Sequence, residues 1–341
     1  MTATQLPTDA PPRRFVLLLL ERFSLISLAS VIDALRLANR SLGRGAYAWE
    51  LVGEGGGAAV ASCGMRFALD HGLEAGSLRI GPGDVVLAIG GLEVQQAGTP
   101  AVLDWLRRVA RQGAALGGLC TGSHVLARAG LLDGHRATIH WENQPGFAEE
   151  FAAVTLSRSV YVLDGNRMSA AGGTSAVDLM LALIAADHGE EVGAAVAEQL
   201  IHPAMRTDRD PQRLSTPTRL GVRHPRLAEA VRIMEAHIEK PLSPARLAEI
   251  VGMSTRQLER LALRYLGRPP KRYYMELRLA RARNLLLQTE MSVPDVAAAC
   301  GFASHAHFSK CYRTQHGITP YRERGTRPAP PPEPVALPDP C

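Results

Sequence analysis

The chain has no C-x-x-C pair and only five cysteines, Cys63, Cys120, Cys300, Cys311 and Cys341. So odd and scattered a set implies neither a disulfide framework nor a zinc site. Cys300, His305, His307 and Cys311 lie close together, but their spacing fits no common metal pattern. No metal or other cofactor is expected. Long hydrophobic runs are also missing. Val16–Leu20 is far too short to span a bilayer, so no membrane partner is expected. Residues 1–13 are polar and carry proline, without the layout of a secretory signal. The expected setting is cytoplasmic and reducing.

What is present suits two globular cores. The chain has 341 residues, 46% hydrophobic and 21% charged. The net charge of +5 hides an imbalance. Residues 223–327 hold 19 Lys+Arg against 9 Asp+Glu, whereas residues 1–222 hold 19 against 22. A basic C-terminal block beside a mildly acidic body is the charge pattern of a nucleic-acid reader joined to a second module.

An internal repeat sharpens this. Leu-Ala-Glu-Ile-Val-Gly-Met-Ser at 247–254 is echoed by Val-Ala-Ala-Ala-Cys-Gly-Phe-Ala at 296–303. Ala248 recurs as Ala297 and Gly252 as Gly301, both after 49 residues, and Gly267 and Pro270 recur as Gly317 and Pro320. Alanine where two helices touch and glycine at a tight turn are what a helix-turn-helix needs. Two such units predict paired DNA readers.

Along the chain, short apolar runs alternate with helical periodicity up to about residue 200. Strands are expected at Phe15–Leu20, Ala48–Val52, Asp84–Ile89 and Ala114–Leu119. Helices are expected at Leu25–Asn39, Thr99–Gln112, Ser123–Leu131, Thr174–Asp187 and Glu191–Leu200. Val154–Leu163 and Arg167–Ala170 read as a hairpin around Asp164-Gly165-Asn166. This is the pattern of a parallel sheet covered by helices, an α/β fold. Residues 203–222 gather proline and charge and read as a linker. From Pro225 the pattern is all helical, with helices at 225–237, 244–251, 255–265, 270–288, 293–299 and 304–316. The proline-rich end, 326–341, reads as disordered. The expected division is 13–202, linker 203–222, 223–325 and tail 326–341.

Residues 225–325 resemble the AraC/XylS DNA-binding domain. The resemblance rests on Leu247–Arg260, Arg278-Leu-Ala-Arg-Ala-Arg-Asn-Leu-Leu-Leu287, Ser292–Phe302 and Gly317-Ile-Thr-Pro-Tyr-Arg322. It implies seven helices and two recognition helices entering successive major grooves of double-stranded DNA. A linking helix of about 19 residues spans roughly 28 Å, close to one DNA turn of roughly 34 Å. In the first recognition helix Leu258 and Leu261 should face inward, leaving Arg256, Glu259 and Arg260 for base edges. In the second, Phe308 and Tyr312 should face inward, leaving His305, Ser309 and Lys310. Arginine and lysine can donate to guanine, and glutamate can accept from cytosine. Arg264 and Arg313, one turn further on, are candidates for phosphate contacts.

In the N-terminal half, Leu116-Gly-Gly-Leu-Cys120-Thr-Gly-Ser-His124 carries a strand into a helix through glycines, with cysteine at the corner. That is a nucleophile elbow, in which the helix N-terminus is expected to lower the thiol pKa. A buried structural cysteine reads equally well from these residues. His140 follows twenty residues later, in Ala-Thr-Ile-His140-Trp141-Glu142. With the Gly90-Gly91 turn and Ala171-Gly-Gly-Thr174, residues 13–200 resemble the PfpI-like branch of the class I glutamine amidotransferase superfamily. The resemblance implies a flavodoxin-like sandwich with a Cys/His pocket at the C-terminal ends of the strands, and Gly91 in its wall. Active relatives carry an acid near the thiol. Ser27 takes that place here, with Glu21 too early in the chain, and Thr121 stands where proteolytic relatives have histidine. No catalytic residue is therefore assigned.

The combined order resembles the amidotransferase-like AraC regulators, which sense small amino-acid-like or quaternary-amine metabolites, including arginine, glycine betaine and carnitine. Cys120, His140, Trp141, Glu142 and Gly91 are then the expected effector site, with Trp141 and Glu142 suited to a cation. A homodimer, with RNA polymerase as a further partner at promoters, is implied by the same resemblance. Two alternatives remain open: a thiol-dependent hydrolase, amidase or glyoxalase-like enzyme fused to a DNA-binding module, and a redox regulator acting through Cys120.

Overall fold

The apolar runs of the N-terminal half become strands buried on both faces. The computed structural model describes residues 11–74, 78–203, 205–212 and 224–325. They fall into two units, one reaching Gln212 and the other starting at His224. In the first, β1 (Arg13–Leu19), α1 (Leu25–Leu42), β2 (Tyr47–Val52), β3 (Ala58–Val60), β4 (Arg66–Ala68) and β5 (Val85–Ile89) lead to α2 (Val94–Ala97) and α3 (Pro100–Arg111). Then come β6 (Ala115–Leu119), α4 (Gly122–Arg128), β7 (Arg136–Ala137), α5 (Gln144–Glu150), β8 (Thr155–Leu156), β9 (Tyr161–Asp164), β10 (Arg167–Ala170), α6 (Ser175–His188) and α7 (Glu190–Gln199).

The main sheet runs β2-β1-β5-β6-β10-β9, parallel except for β9 at its edge. Side chains alternate across it. Phe15, Leu17 and Leu19 join the core beneath α1, α6 and α7, while Val16, Leu18 and Leu20 join the core beneath α3 and α4. This two-sided burial is why β1 reads as an unbroken apolar run. Thr99 caps α3 by accepting from the Val102 N–H at 3.3 Å, with Pro100 in the first turn, as its sequence predicts. The flavodoxin-like α/β expectation holds for this half.

Three expectations change. The strand expected over Val154–Leu163 is broken, because β8 pairs with β7 and only β9 pairs with β10. The Ser157 and Ser159 hydroxyls bond each other at 2.7 Å, and Ser159 Oγ donates to the Tyr161 carbonyl at 2.9 Å. Serine side chains there take backbone partners from a continuous ladder. The β3–β4 hairpin was not expected, since three-residue strands are too short to show a period. Residues 205–212, read as the start of the linker, are hydrogen-bonded into the first unit. Arg206 reaches Asp178, and Gln212 reaches Thr138, Ile139 and Ser159. The tail expected to be disordered, 326–341, lies outside the described residues, as do linker residues 213–223.

The second unit contains seven helices among the described residues: α8 (Pro225–Ala236), α9 (Pro244–Ile250), α10 (Thr255–Leu266), α11 (Pro270–Gln288), α12 (Val293–Ala299), α13 (His305–His316) and α14 (Pro320–Gly325). Ser243, Ser254, Ser292 and Ser304 each cap their helix by accepting from the backbone N–H three residues on. The 19-residue α11 bridges two cores. Tyr274 packs with Leu247, Leu258 and Ala262, whereas Leu279, Ala282, Leu285 and Leu286 pack with Val296, Phe308 and Tyr312. Serving two cores on different sides leaves α11 without a single apolar stripe.

Candidate functional site

Two places carry the residues of interest. The first is the corner between β6 and α4. Cys120 sits there with φ +58°, one of the few non-glycine residues in the left-handed region. Only small neighbours allow it. A Cβ on Gly172 would lie 2.7 Å from the Cys120 Cβ, and one on Gly122 would lie 2.0 Å from the Ala88 carbonyl oxygen. The Cys120 N–H donates to the Ala170 carbonyl at 2.9 Å, and its own carbonyl accepts from the His140 N–H at 3.3 Å. The structure therefore brings Cys120 and His140 together through their backbones.

The thiol does not behave as the elbow pattern suggests. Burial raises it most, the Thr121 backbone N–H lowers it in part, and the Glu142 carboxylate adds a smaller raise, which together leave it pushed up to about 11. The N–H of Thr121 at the start of α4 lowers the thiol as expected, but burial outweighs it, so the net shift is upward. The neutral thiol is therefore favoured at neutral pH. His140 is held below its ordinary value by burial, partly countered by Glu142. Its Nδ1 lies 3.9 Å from Glu142 Oε2, and its ring centroid 5.6 Å from that of Trp141. Trp141 is 37% exposed and the Glu142 side chain 51%, so both stand at the surface beside His140. Gly91 supports the elbow from below: its carbonyl accepts from Thr121 Oγ1 at 2.8 Å, and Phe23 bridges to it from the loop after β1. Ser27 is fully buried and donates to Ser24 Oγ at 3.0 Å, which puts a neutral hydroxyl pair at the start of α1.

Sequence reading missed a strap that returns to this corner. Asp178 is buried on α6 and accepts from Arg206 Nη2 at 2.6 Å and Nε at 3.0 Å, with His202 Nε2 at 2.9 Å. Arg206 Nη2 also donates to Thr174 Oγ1 at 2.8 Å, two residues beyond the Gly172 that abuts Cys120. Gln212 Nε2 donates to the Ile139 carbonyl at 2.9 Å, next to His140. The available signal was Asp178 itself. An acid on the buried stretch of a largely apolar helix needs a cationic partner from elsewhere in the chain.

The second place is the pair of helix-turn-helix motifs. Gly252 and Gly301 have φ +64° and +72°, which the tight turns require. Leu258, Phe308 and Tyr312 are fully buried, and Leu261 is half-buried against the same core. Arg256, Glu259, Arg260 and Arg264 are exposed on α10, and His305, Lys310 and Arg313 on α13. Ser309 departs from expectation. It is half-buried with its Oγ turned out of solvent, because it sits one residue from Phe308 and three from Tyr312 and is short enough to fold toward them. His305 packs edge-on against Tyr321, centroids 5.8 Å apart. Cys311 Sγ lies 3.3 Å from His307 Nε2, while Cys300 is buried in the core. The signal left unread was a pair of arginines that hold the turns. Arg226 on α8 donates to the Gly252 carbonyl at 2.7 Å. Arg278 on α11 donates to the Cys300 and Gly301 carbonyls at 2.8 and 2.6 Å, with its guanidinium 4.0 Å from the Phe302 ring centroid. Arg226-Leu227-Ala228 recurs as Arg278-Leu279-Ala280, so the repeat extends to the supporting helices.

Known proteins share both halves. A Helix-turn-helix domain model matches residues 247–325, and a DJ-1/PfpI family model matches residues 13–186. HTH-type transcriptional regulator GbdR of Pseudomonas aeruginosa is 43% identical over 322 residues, 94% of this chain and 87% of that protein. HTH-type transcriptional regulator CdhR of the same species is 41% identical over 314 residues, 92% of each. Among solved structures, an AraC family transcriptional regulator from Pseudomonas putida covers 55% of this chain and 100% of its own, with 31% identity and a TM-score of 0.50. A ThiJ/PfpI family protein from Pseudomonas syringae shares the fold over 74% of this chain and 91% of its own, at 18% identity and a TM-score of 0.51. No helix among the described residues is long and apolar enough to cross a membrane.

Proposed function

This chain belongs to the AraC-type transcriptional regulators that carry a DJ-1/PfpI domain, and from that premise we propose how its two units divide the work. Residues 224–325 read DNA, and residues 13–212 hold a small molecule whose presence changes that reading. The protein acts in the cytoplasm as a homodimer, and activates by engaging RNA polymerase at its promoters. The observation that carries the reading is the pair of basic recognition helices, capped and packed alike, on one bridging helix.

The effector site is the corner of Cys120, His140, Trp141, Glu142 and Gly91. Its ligand is a small amino-acid-like or quaternary-amine compound, such as arginine, glycine betaine or carnitine. A partly exposed indole beside a surface carboxylate suits a cationic group. Burial favours the neutral thiol, and Ser27 offers a neutral hydroxyl where active relatives carry an acid, which supports sensing rather than catalysis. Coupling runs through the strap. A ligand that shifts the Ile139–His140 backbone or the turn before Thr174 acts on Gln212 and Arg206, in the segment that leads out of the unit. By linkage, a ligand preferring one arrangement of the strap biases DNA binding by its differential affinity.

The DNA half is tested by gel shift on a genomic fragment selected with the wild-type chain. Arg260→Ala and Lys310→Ala should each weaken specific binding; undiminished binding in both rejects the assigned reading residues. The coupling is tested with Gln212→Ala, which should keep ligand binding while removing the ligand's effect on the gel shift.

A further inference from the structure

A second opening lies on the same edge of the sheet, and none of the five effector residues lines it. It is a cavity of about 390 Å³ at the C-terminal ends of β1 and β2, closed by the β3 strand and the start of α3. That volume suits a small molecule, and the carboxyl edge of an open parallel sheet is where such folds bind ligands. Its apolar floor includes Leu19, Leu20, Ala59, Leu69 and Val102.

The polar lining is unbalanced. Glu21, Glu54 and Glu93 face one cation, Arg22. Arg22 Nη1 and Glu93 Oε1 pair at 2.6 Å, which leaves Glu21 and Glu54, both exposed at the mouth, as the carboxylates without an ion pair. Glu21 has no ion-pair partner among the described residues. Glu54 is met by Thr99 Oγ1, 3.0 Å from each of its oxygens. A hydroxyl has one proton to give, so one Glu54 oxygen stays open as an acceptor. Among the described residues no aromatic ring lines the cavity, so none of them offers a π face to a methylated ammonium.

We propose that this cavity is a separate binding site for a small organic cation bearing N–H donors, a guanidinium or primary ammonium compound, held by Glu54 and Glu21 above the apolar floor. It is distinct from the corner at Cys120 but mechanically joined to it. The Leu92 N–H donates to the Arg22 carbonyl at 3.1 Å, and the neighbouring Gly91 carbonyl accepts from Thr121 at 2.8 Å. A Cβ on Gly91 would lie 2.0 Å from the Arg22 carbonyl oxygen, so the two backbones have no slack between them. A cation that draws Glu93 away from Arg22 therefore presses on the turn that supports the elbow.

The experiment uses the full chain with methylguanidine, butylamine and tetramethylammonium, read by thermal melting and calorimetry. The two N–H cations should bind in the cavity and raise the melting temperature of the first unit by about 2–4 °C near saturation, through a component that Glu54→Gln and Glu21→Gln diminish. Tetramethylammonium, with the same charge and no N–H, should show no binding that Glu54→Gln or Glu21→Gln alters. Glu54→Gln and Glu21→Gln should each weaken binding about tenfold, and Glu149→Gln, an exposed carboxylate on α5 outside the cavity, should leave it unchanged. Absence of heat with both N–H cations overturns the site, as does wild-type affinity in both glutamine variants. If Glu54→Gln unfolds, shown by circular dichroism, the exposed Glu21→Gln carries the test. Failure here leaves the gel-shift reading of the DNA half untouched, because that assay needs no cation.

Discussion

The two reading heads share a plan but differ in where their strength lies. The first, α10, exposes three arginines and Glu259, and buries only Leu258 and Ala262 in full. The second, α13, exposes His305, Lys310 and Arg313, and buries Phe308 and Tyr312 at the matching places. The first turn is held by one arginine bond at Gly252. The second is held by Arg278 through two carbonyls and a ring. One head is richer in charge and the other in anchorage. A duplicated fold can thus divide affinity and rigidity between its copies without changing its helices.

The largest test of this contrast is core truncation. Phe308 and Leu258 are both fully buried and occupy matching positions in their helices. Phe308→Ala should cost about 3–5 kcal/mol and Leu258→Ala about 2–5 kcal/mol, with the aromatic site the more damaging. Urea unfolding of the second unit measures both. A costlier Leu258→Ala would mean that the first head, not the second, is the better anchored.

Next in size is readout. Arg260 and Lys310 also match in position, six residues into their helices. An arginine forks onto guanine with two donors, whereas lysine presents a point charge. Arg260→Ala should therefore lose about 1–3 kcal/mol of discrimination between operator sequences. Lys310→Ala should lose less, with most of its effect on overall affinity. Competition gel shifts with single-base operator variants separate the two, and an equal loss of discrimination would erase the proposed asymmetry.

Much of this was legible in the sequence, and the gaps have physical reasons. The repeat was visible because helix contacts and turns demand alanine and glycine at fixed places, as at Ala248 and Ala297. The parallel sheet was visible because burial on both faces leaves runs such as Phe15–Leu19 wholly apolar. What stayed hidden depends on long-range pairing. Asp178 meets Arg206 across 28 residues, and Glu54 meets Thr99 across 45, with no local pattern to announce either. The Cys120 thiol was misjudged because the elbow motif reports backbone shape, whereas the proton affinity is set by how deeply the corner is buried. Ser309 was misjudged because a short side chain on the flank of a buried face can turn either way.

The smallest contrast lies at the helix starts. Ser254 accepts from the Gln257 N–H at 3.2 Å, and Gln257 Oε1 accepts in return from the Ser254 N–H at 2.9 Å. At the second head Ser304 accepts from the His307 N–H at 3.4 Å, and the residue in the glutamine's place is a histidine whose Nε2 is engaged with Cys311. The reciprocal bond satisfies a second orphan backbone donor at the first head only. Ser254→Ala should therefore cost about 1 kcal/mol, and Ser304→Ala less, within the range for lost N-caps. Hydrogen exchange at the first turns of α10 and α13 is the sensitive measure. Faster exchange should appear at α10 in Ser254→Ala and in Gln257→Ala alike, because either change breaks the same closed pair. If Gln257→Ala leaves α10 as protected as before, the difference between the two starts has no energetic weight, and the contrast between the heads rests on anchorage and charge alone.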